Sequence, residues 1–422
     1  MQVDTGNTGF MLLATSLVML MTPGLAFFYG GLVGKKNVLS IMIQSFVSMG
    51  ITSIIWYFVG FSLCFSGNCY DGTDLLGGII GNFDFSFFRG IDVNTSSLVK
   101  TASGAVVFGN AGIPMFVFAA YQMMFAIITP ALITGAFTNR VRFGAYVIFL
   151  IVWLLFVYFP FVHMIWGGGL LAKWGIKDFA GGIVVHNIAG MAAIASILYL
   201  GKRRVEDIGF HNIPLIALGT GLLWFGWYGF NAGSEFGVDG ITAAAFINTD
   251  TAASFAAIVW LILAWIFEKK PKFVGLLTGA VAGLATITPA AGYVTLHSAV
   301  IIGCLAGIVC YIAVQWKNKL QWDDALDVWG VHGVGGMLGI ILLGILGTSA
   351  VNPNGSNGLF YGGSDFFIKQ LLAVIISSVY AFGFTWIMLV IINTFCRVKT
   401  TKEEEEKGLD EMLHGEHAYN TL

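Results

Sequence analysis

Asp178-Phe179-Ala180-Gly181-Gly182-Ile183-Val184-Val185-His186-Asn187-Ile188-Ala189-Gly190-Met191 opens an apolar segment long enough to cross a bilayer, and it carries a histidine. On a helix, Gly182, Ala189, Gly190 and Ala193 lie three to seven residues from His186 and share its face. The imidazole therefore borders a bare strip that a ligand or another helix can approach closely. The pattern returns once, at Val331-His332-Gly333-Val334-Gly335-Gly336-Met337, and in both places Gly-Met follows the histidine at +4 and +5. Ionisable groups inside membrane helices are costly, so two histidines on matching stripes mark a functional site by default.

Hydrophobic residues make up 57% of the 422-residue chain and charged residues 10%, with a mean hydropathy of +0.82. Soluble domains average about 25% charged residues. The chain therefore reads as an all-α polytopic protein of the lipid bilayer. Its formal net charge of -2 gives no reason to expect nucleic acid. Cys64, Cys69, Cys304, Cys310 and Cys396 show no metal-ligand spacing beside histidine. Cys64 and Cys69, near an outer loop, are placed either to pair or to stay free. No nucleophile–base pair or cofactor motif points to an enzyme, and no cofactor is expected. The first apolar run lacks a basic leader and continues into a full span, which argues against a cleavable signal peptide.

A spanning helix needs about 20 apolar residues. Eleven such runs lie at about 9–33, 39–65, 112–136, 142–166, 179–200, 212–234, 242–267, 273–291, 294–315, 327–349 and 366–396. With the N-terminus outside, sixteen of the twenty-one Lys and Arg fall on the cytoplasmic side, including Lys35, Lys36, Arg140, Arg142 and Lys202 to Arg204. Arg89, Lys100, Lys173, Lys177 and Lys369 remain outside. That asymmetry predicts N-out, eleven spans and C-in. Residues 1–400 form the membrane domain, with a polar outer loop at about 66–111 that reads as a cap or as a linker. Residues 401–422 form a cytoplasmic tail. Ile128-Thr129-Pro130-Ala131 in span 3 returns as Ile287-Thr288-Pro289-Ala290 in span 8. With the histidine echo this pairs span 3 with 8 and span 5 with 10. An odd offset sends the two halves across the membrane in opposite senses, so spans 1–5 and 6–10 read as inverted repeats with a site at their interface.

Depth follows from direction. His186 lies about 12 Å inward of Asp178, and His332 at least about 7 Å outward of Asp327, at 1.5 Å per residue. Both fall toward the middle of a core about 30 Å thick. A metal site would want a third ligand, and no carboxylate or cysteine is expected at that depth. Span 6 holds Trp227-Tyr228-Gly229-Phe230-Asn231-Ala232-Gly233-Ser234, with Phe230 and Ser234 on one face. Trp166 closes span 4 before Gly167-Gly168-Gly169. Aromatics at that level usually form the interfacial belt. An indole face beside a hydroxyl also suits a small cation shedding its water.

Together these segments resemble the ammonium transporter (Amt/Mep/Rh) family, on its Amt side. The likeness is carried by Thr22-Pro23-Gly24-Leu25-Ala26-Phe27-Phe28-Tyr29-Gly30-Gly31, His163-Met164-Ile165-Trp166-Gly167-Gly168-Gly169 and Asp178 to Gly182. It continues through Gly229 to Ser234, Gly330-Val331-His332-Gly333 and the tail residues Gly408-Leu409-Asp410, His414-Gly415-Glu416 and Ala418-Tyr419. The resemblance implies an outer ammonium site at Trp166 and Ser234 with Tyr121 on its wall, and a gate of Phe125 and Phe230. It also implies a His186–His332 pore pair, and Asp178 ordering the vestibule without touching substrate. It further implies a homotrimer with one pore per subunit in the cell membrane, and a tail that packs across the cytoplasmic face, couples neighbouring subunits and is where a P-II type signalling protein acts when one is present. The expected activity is uptake of ammonium, deprotonated on entry and carried as ammonia. An ammonium sensor and a neutral gas channel of the Rh kind are the alternatives. The short tail favours transport over sensing, and Trp166 with Ser234 favours Amt over Rh.

Overall fold

A computed structural model describes residues 2–205 and 209–419. Among these described residues ten helices are long and apolar enough to cross a membrane: α1 (Thr5–Leu32), α2 (Val38–Phe65), α3 (Met115–Phe137), α4 (Phe143–Lys173), α5 (Gly182–Leu200), α6 (Ile213–Glu235), α7 (Gly240–Glu268), α9 (Leu296–Lys319), α10 (Trp329–Leu346) and α11 (Ser364–Phe395). Between them, α8 (Phe273–Ile287) is apolar but only 15 residues long. The sequence reading carried this segment to residue 291. It stops earlier because Thr288-Pro289 begins a run of turns through residue 293. The same four letters in α3 leave Pro130 inside an unbroken helix. The Thr-Pro echo is thus a likeness of sequence with two local outcomes.

Packing between the halves is set by small residues. Along α5 and α10, a side chain added at Gly190 would meet Gly333, and one at Gly336 would meet Gly182, His186 and Asn187. As numbers rise on one helix they fall on the other, so the two histidine helices lie antiparallel. They pack backbone to backbone, as small-residue stripes permit in membranes. The helices α1 and α6 do the same: Gly24 faces Leu222, Leu223 and Gly219, while Gly229 faces Ala14 and Leu17.

The loop between α2 and α3 is a cap. It holds a hairpin, β1 (Val99–Lys100) with β2 (Val106–Phe108). Val107 seats against Gly168, where φ is +81° and a Cβ would meet Val107 at 2.3 Å. Asp74 of this loop pairs with buried His163 of α4 at 3.3 Å. All five cysteines are unpaired, Cys64 and Cys69 included.

On the opposite face, the tail forms the short helix α12 (Lys402–Lys407), started by a Thr401–Glu404 capping box. It docks through charge. Glu404 pairs with Arg142, and Glu405 accepts from the backbone N–H of Arg204 at 2.6 Å and of Val205 at 3.2 Å. Asp410 accepts from Leu39 N and Ser40 N at 3.0 and 2.7 Å, at the start of α2. Of the apolar tail residues, Leu409 is buried while Met412 is 37% exposed. The tail is therefore ordered mainly by its carboxylates.

Candidate functional site

The site begins at the end of α5 nearest the capping loop. Asp178 precedes the helix, and its carboxylate accepts from four backbone N–H groups: Gly181 and Gly182 at 2.8 and 2.7 Å, Ile183 and Val184 at 2.7 and 3.2 Å. These are the donors a helix start leaves without partners. Burial raises the Asp178 carboxyl above its ordinary range, against the pull of those four donors. Its backbone oxygen accepts from Trp166 Nε1 at 2.9 Å, which fixes the indole at the end of α4.

Trp166 borders a cavity of about 450 Å³ beneath the capping loop, with Gln122, Phe125, Asp178, Ser234 and Glu235 on its wall and Val107 and Phe108 of that loop above. Ser234 donates to Phe230 O at 2.9 Å. With its proton so used, the Ser234 oxygen keeps lone pairs for an N–H donor. Tyr121 sits behind this wall and is fully buried. Its hydroxyl lies 2.9 Å from Gly229 O, 2.8 Å from Phe230 O and 3.3 Å from Ser234 Oγ. It holds the end of α6 in place.

Beneath the cavity the path is closed by rings. Phe125 stands edge-on to Trp166 at 5.8 Å and stacks on Phe230 at 4.2 Å. Phe230 lies 6.1 Å from the His186 ring, which stacks on His332 at 5.2 Å and on Trp227 at 5.4 Å. The two Nδ1 atoms are 3.3 Å apart, so one donates and the other accepts. His186 Nε2 is buried and has no partner. Around the pair, Met21, Leu25, Phe28, Ile128 and Leu223 make an apolar tube with about 10 Å³ open to the centre of a water molecule. That is about the least that holds one water. His332 also borders a second cavity of about 220 Å³, on the side away from the capping loop.

Both histidines sit in π-helical turns, Gly182–Asn187 and Trp329–Gly333. Each turn follows a buried aspartate eight residues before the histidine. Asp324 matches Asp178, accepting from Val328 N at 3.1 Å and Trp329 N at 2.8 Å. Burial pushes its carboxyl up to about 6, against the attraction of Lys317. Among the described residues no group of three or more His, Cys, Asp or Glu is placed to hold a metal ion.

The Ammonium Transporter Family matches residues 9–419. This chain belongs to that family. The ammonium transporter of Bacillus subtilis is 43% identical over 420 residues, covering 99% of both chains. Ammonium transporter Amt1 of Archaeoglobus fulgidus is 40% identical over 420 residues, covering 99% of this chain and 100% of that one. Among solved structures, Saccharomyces cerevisiae Mep2 superposes with a TM-score of 0.84 at 32% identity, covering 95% of this chain and 91% of that one. A structure titled Sensor Amt Protein gives 0.84 at 30% identity, covering 97% and 98%.

Within this family member, Trp166, Ser234, Phe125, Phe230, His186, His332 and Asp178 come together along one path, and Tyr121 stands one layer behind it. Sequence reasoning missed Asp324, whose eight-residue spacing to His332 repeats that of Asp178 to His186 and was readable. It also missed the support of Trp227, whose Nε1 donates to Thr288 Oγ1 at 2.9 Å. No local pattern announces that pairing.

Proposed function

We propose that this multi-pass membrane protein takes up ammonium by capturing the ion outside, stripping a proton and passing ammonia along the histidine pair. The single observation that carries the reading is the unbroken file of rings, Trp166, Phe125, Phe230, His186 and His332, joining two cavities. An ammonium ion at the outer wall finds an indole face for cation–π attraction and the Ser234 oxygen as acceptor. Ammonium and potassium share size and charge, so binding alone separates them poorly. Below the stacked phenylalanines the space is dry and apolar, which disfavours any charged form. Ammonium can enter by losing a proton, and potassium cannot.

Neutral ammonia is an N–H donor with one lone pair, and the unpartnered His186 Nε2 meets it where no protein group does. The Nδ1–Nδ1 contact also offers a proton route. A proton taken up at the bare Nε2 of the donor ring lets the shared Nδ1 proton cross to the other ring, which releases its own Nε2 proton, so the pair can hand on the proton shed above. Asp178 acts by holding α5 and Trp166 in place.

The wider arrangement follows the same reading. α8 completes eleven crossing segments, N-out and C-in, with spans 1–5 and 6–10 as inverted halves. The antiparallel α5 and α10 and their matching Asp-capped π turns support it. The protein works as a homotrimer in the cell membrane. Residues 401–422 are a cytoplasmic regulatory tail, open to a P-II type signalling protein. Transport rather than sensing is the activity; the likeness to the Sensor Amt Protein keeps a sensing role as the second reading.

The test is ammonium-evoked current in liposomes carrying purified His186→Ala or His332→Ala protein. Both variants are expected to assemble and to lose the current or admit potassium. Unchanged current and selectivity in both would overturn the reading.

A further inference from the structure

The charges around the outer cavity include one that the Trp166–Ser234 geometry does not employ. Asp178 borders the cavity, yet its two oxygens are taken up by four backbone N–H groups. Glu235 follows Ser234 directly and borders the same cavity, half-buried. Among the described residues no hydrogen bond or ion pair engages its carboxylate. Its position is nevertheless fixed. It ends the 3-10 turn Gly233–Glu235, and the next residue, Phe236, takes a left-handed conformation with φ of +55°. Asn110 Nδ2 holds Phe236 O at 2.9 Å, and the Phe236 ring packs on Phe118 and Tyr121.

A second polar group belongs to the same space. Tyr293 borders the cavity, its ring lies edge-on to Phe179 at 5.3 Å, and no hydrogen bond engages its hydroxyl among the described residues. Burial, then the negative charge of Glu235 and of Asp178, push that phenol above its ordinary range. Tyr293, Asp178 and Glu235 thus border one cavity, with one carboxylate spent on the backbone and one unspent.

We infer that Glu235, assisted by the Tyr293 hydroxyl, is a capture subsite that concentrates ammonium-type cations in the outer cavity ahead of Trp166 and Ser234. The inference rests on the transport reading above and names a further step within it. A carboxylate accepts charge-assisted hydrogen bonds from any N–H cation and raises the local cation concentration from a distance. A bare charge does not tell ammonium from potassium. Glu235 thus governs arrival, and selection stays with the rings and histidines below.

The test uses the full-length protein in liposomes at low ionic strength, with ammonium-evoked current as the readout. Glu235→Gln is expected to raise the half-saturating ammonium concentration roughly threefold to tenfold, with the effect on capture rather than on maximal current. Added impermeant salt screens a half-exposed charge, so the gap to wild type should shrink at high ionic strength. Glu235→Asp should recover part of the loss, and the preference between ammonium and methylammonium should not move. Equal half-saturation at low salt, or a gap that ignores salt, would overturn the proposal. A transport-free readout separates the two readings: the rise in melting midpoint in detergent given by ammonium chloride over sodium chloride. If wild type carries no current while that rise depends on Glu235, transport fails and the subsite stands. If current is present and neither readout responds to Glu235, the subsite is refuted and transport stands.

Discussion

Replacing Asp178 tests how much of the site depends on one carboxylate. In Asp178→Ala, four N–H groups at the start of α5 lose acceptors now 2.7 to 3.2 Å away. Leaving buried donors unpaired costs about 1–3 kcal/mol each, and breaking a buried charged interaction costs about 3–5 kcal/mol in all. The outer cavity lets water reach part of the gap, so about 3 kcal/mol is the expected loss. Asp178→Asn is the sharper case. Its remaining oxygen keeps Gly181 and Gly182, but the new NH₂ is a donor aimed at the Ile183 and Val184 donors. The asparagine variant should therefore resemble alanine more than wild type. A loosened turn also frees the carbonyl that holds Trp166 Nε1, so current should fall with stability. The assay is the melting midpoint of purified protein beside ammonium current in liposomes. An asparagine variant that melts and conducts like wild type would refute the capping argument.

Gly190→Leu should push α5 and α10 apart, because even a Cβ at Gly190 would meet Gly333 Cα at 2.1 Å; overpacking of about 1–3 kcal/mol and loss of current are expected, and an unperturbed melting midpoint would contradict it. Trp166→Leu should weaken capture by roughly 0.5–2 kcal/mol of cation–π attraction, and Ser234→Ala by about 1 kcal/mol for one hydrogen bond, both read as a higher half-saturating concentration. Deleting 401–422 should lower transport while leaving insertion and assembly intact; full-rate transport would make the tail passive. Burial opposes ionisation of Glu404, but Arg142 and Thr401 outweigh it and hold the carboxyl below its ordinary range. A depressed carboxyl contributes docking above the ordinary range and loses it as pH falls through the lowered value. Hydrogen exchange over 401–419 should therefore quicken on strong acidification, and Glu404→Gln should weaken that dependence, leaving the part carried by Glu405 and Asp410.

Much of this was legible in the sequence because hydrocarbon imposes simple rules. Long apolar runs, cationic loops and histidines on glycine stripes each follow from a cost that repeats along the chain. What escaped depended on partners far away in sequence. Thr288-Pro289 ends α8 where Thr129-Pro130 leaves α3 unbroken, and nothing within those four letters distinguishes them. Tyr121 read as a wall residue, but its hydroxyl finds carbonyls of α6 and turns away from the cavity. The π turns at both histidines add a residue to a helical turn, which periodicity over a short apolar stretch cannot register. The outer loop left cap and linker undecided until Asp74 met His163.

The paired Asp-capped turns carry a consequence for direction. Helix starts bring about half a positive charge each, and here one start faces each mouth of the path with a buried carboxylate set against it. A conduit whose two ends are furnished alike has no built-in polarity, so what passes should run down whichever gradient is imposed, outward as readily as inward. Any rectification must come from the parts that lack a counterpart: the larger outer cavity with Glu235 at one mouth, and at the other Lys317, tied to Asp327 at 2.6 Å.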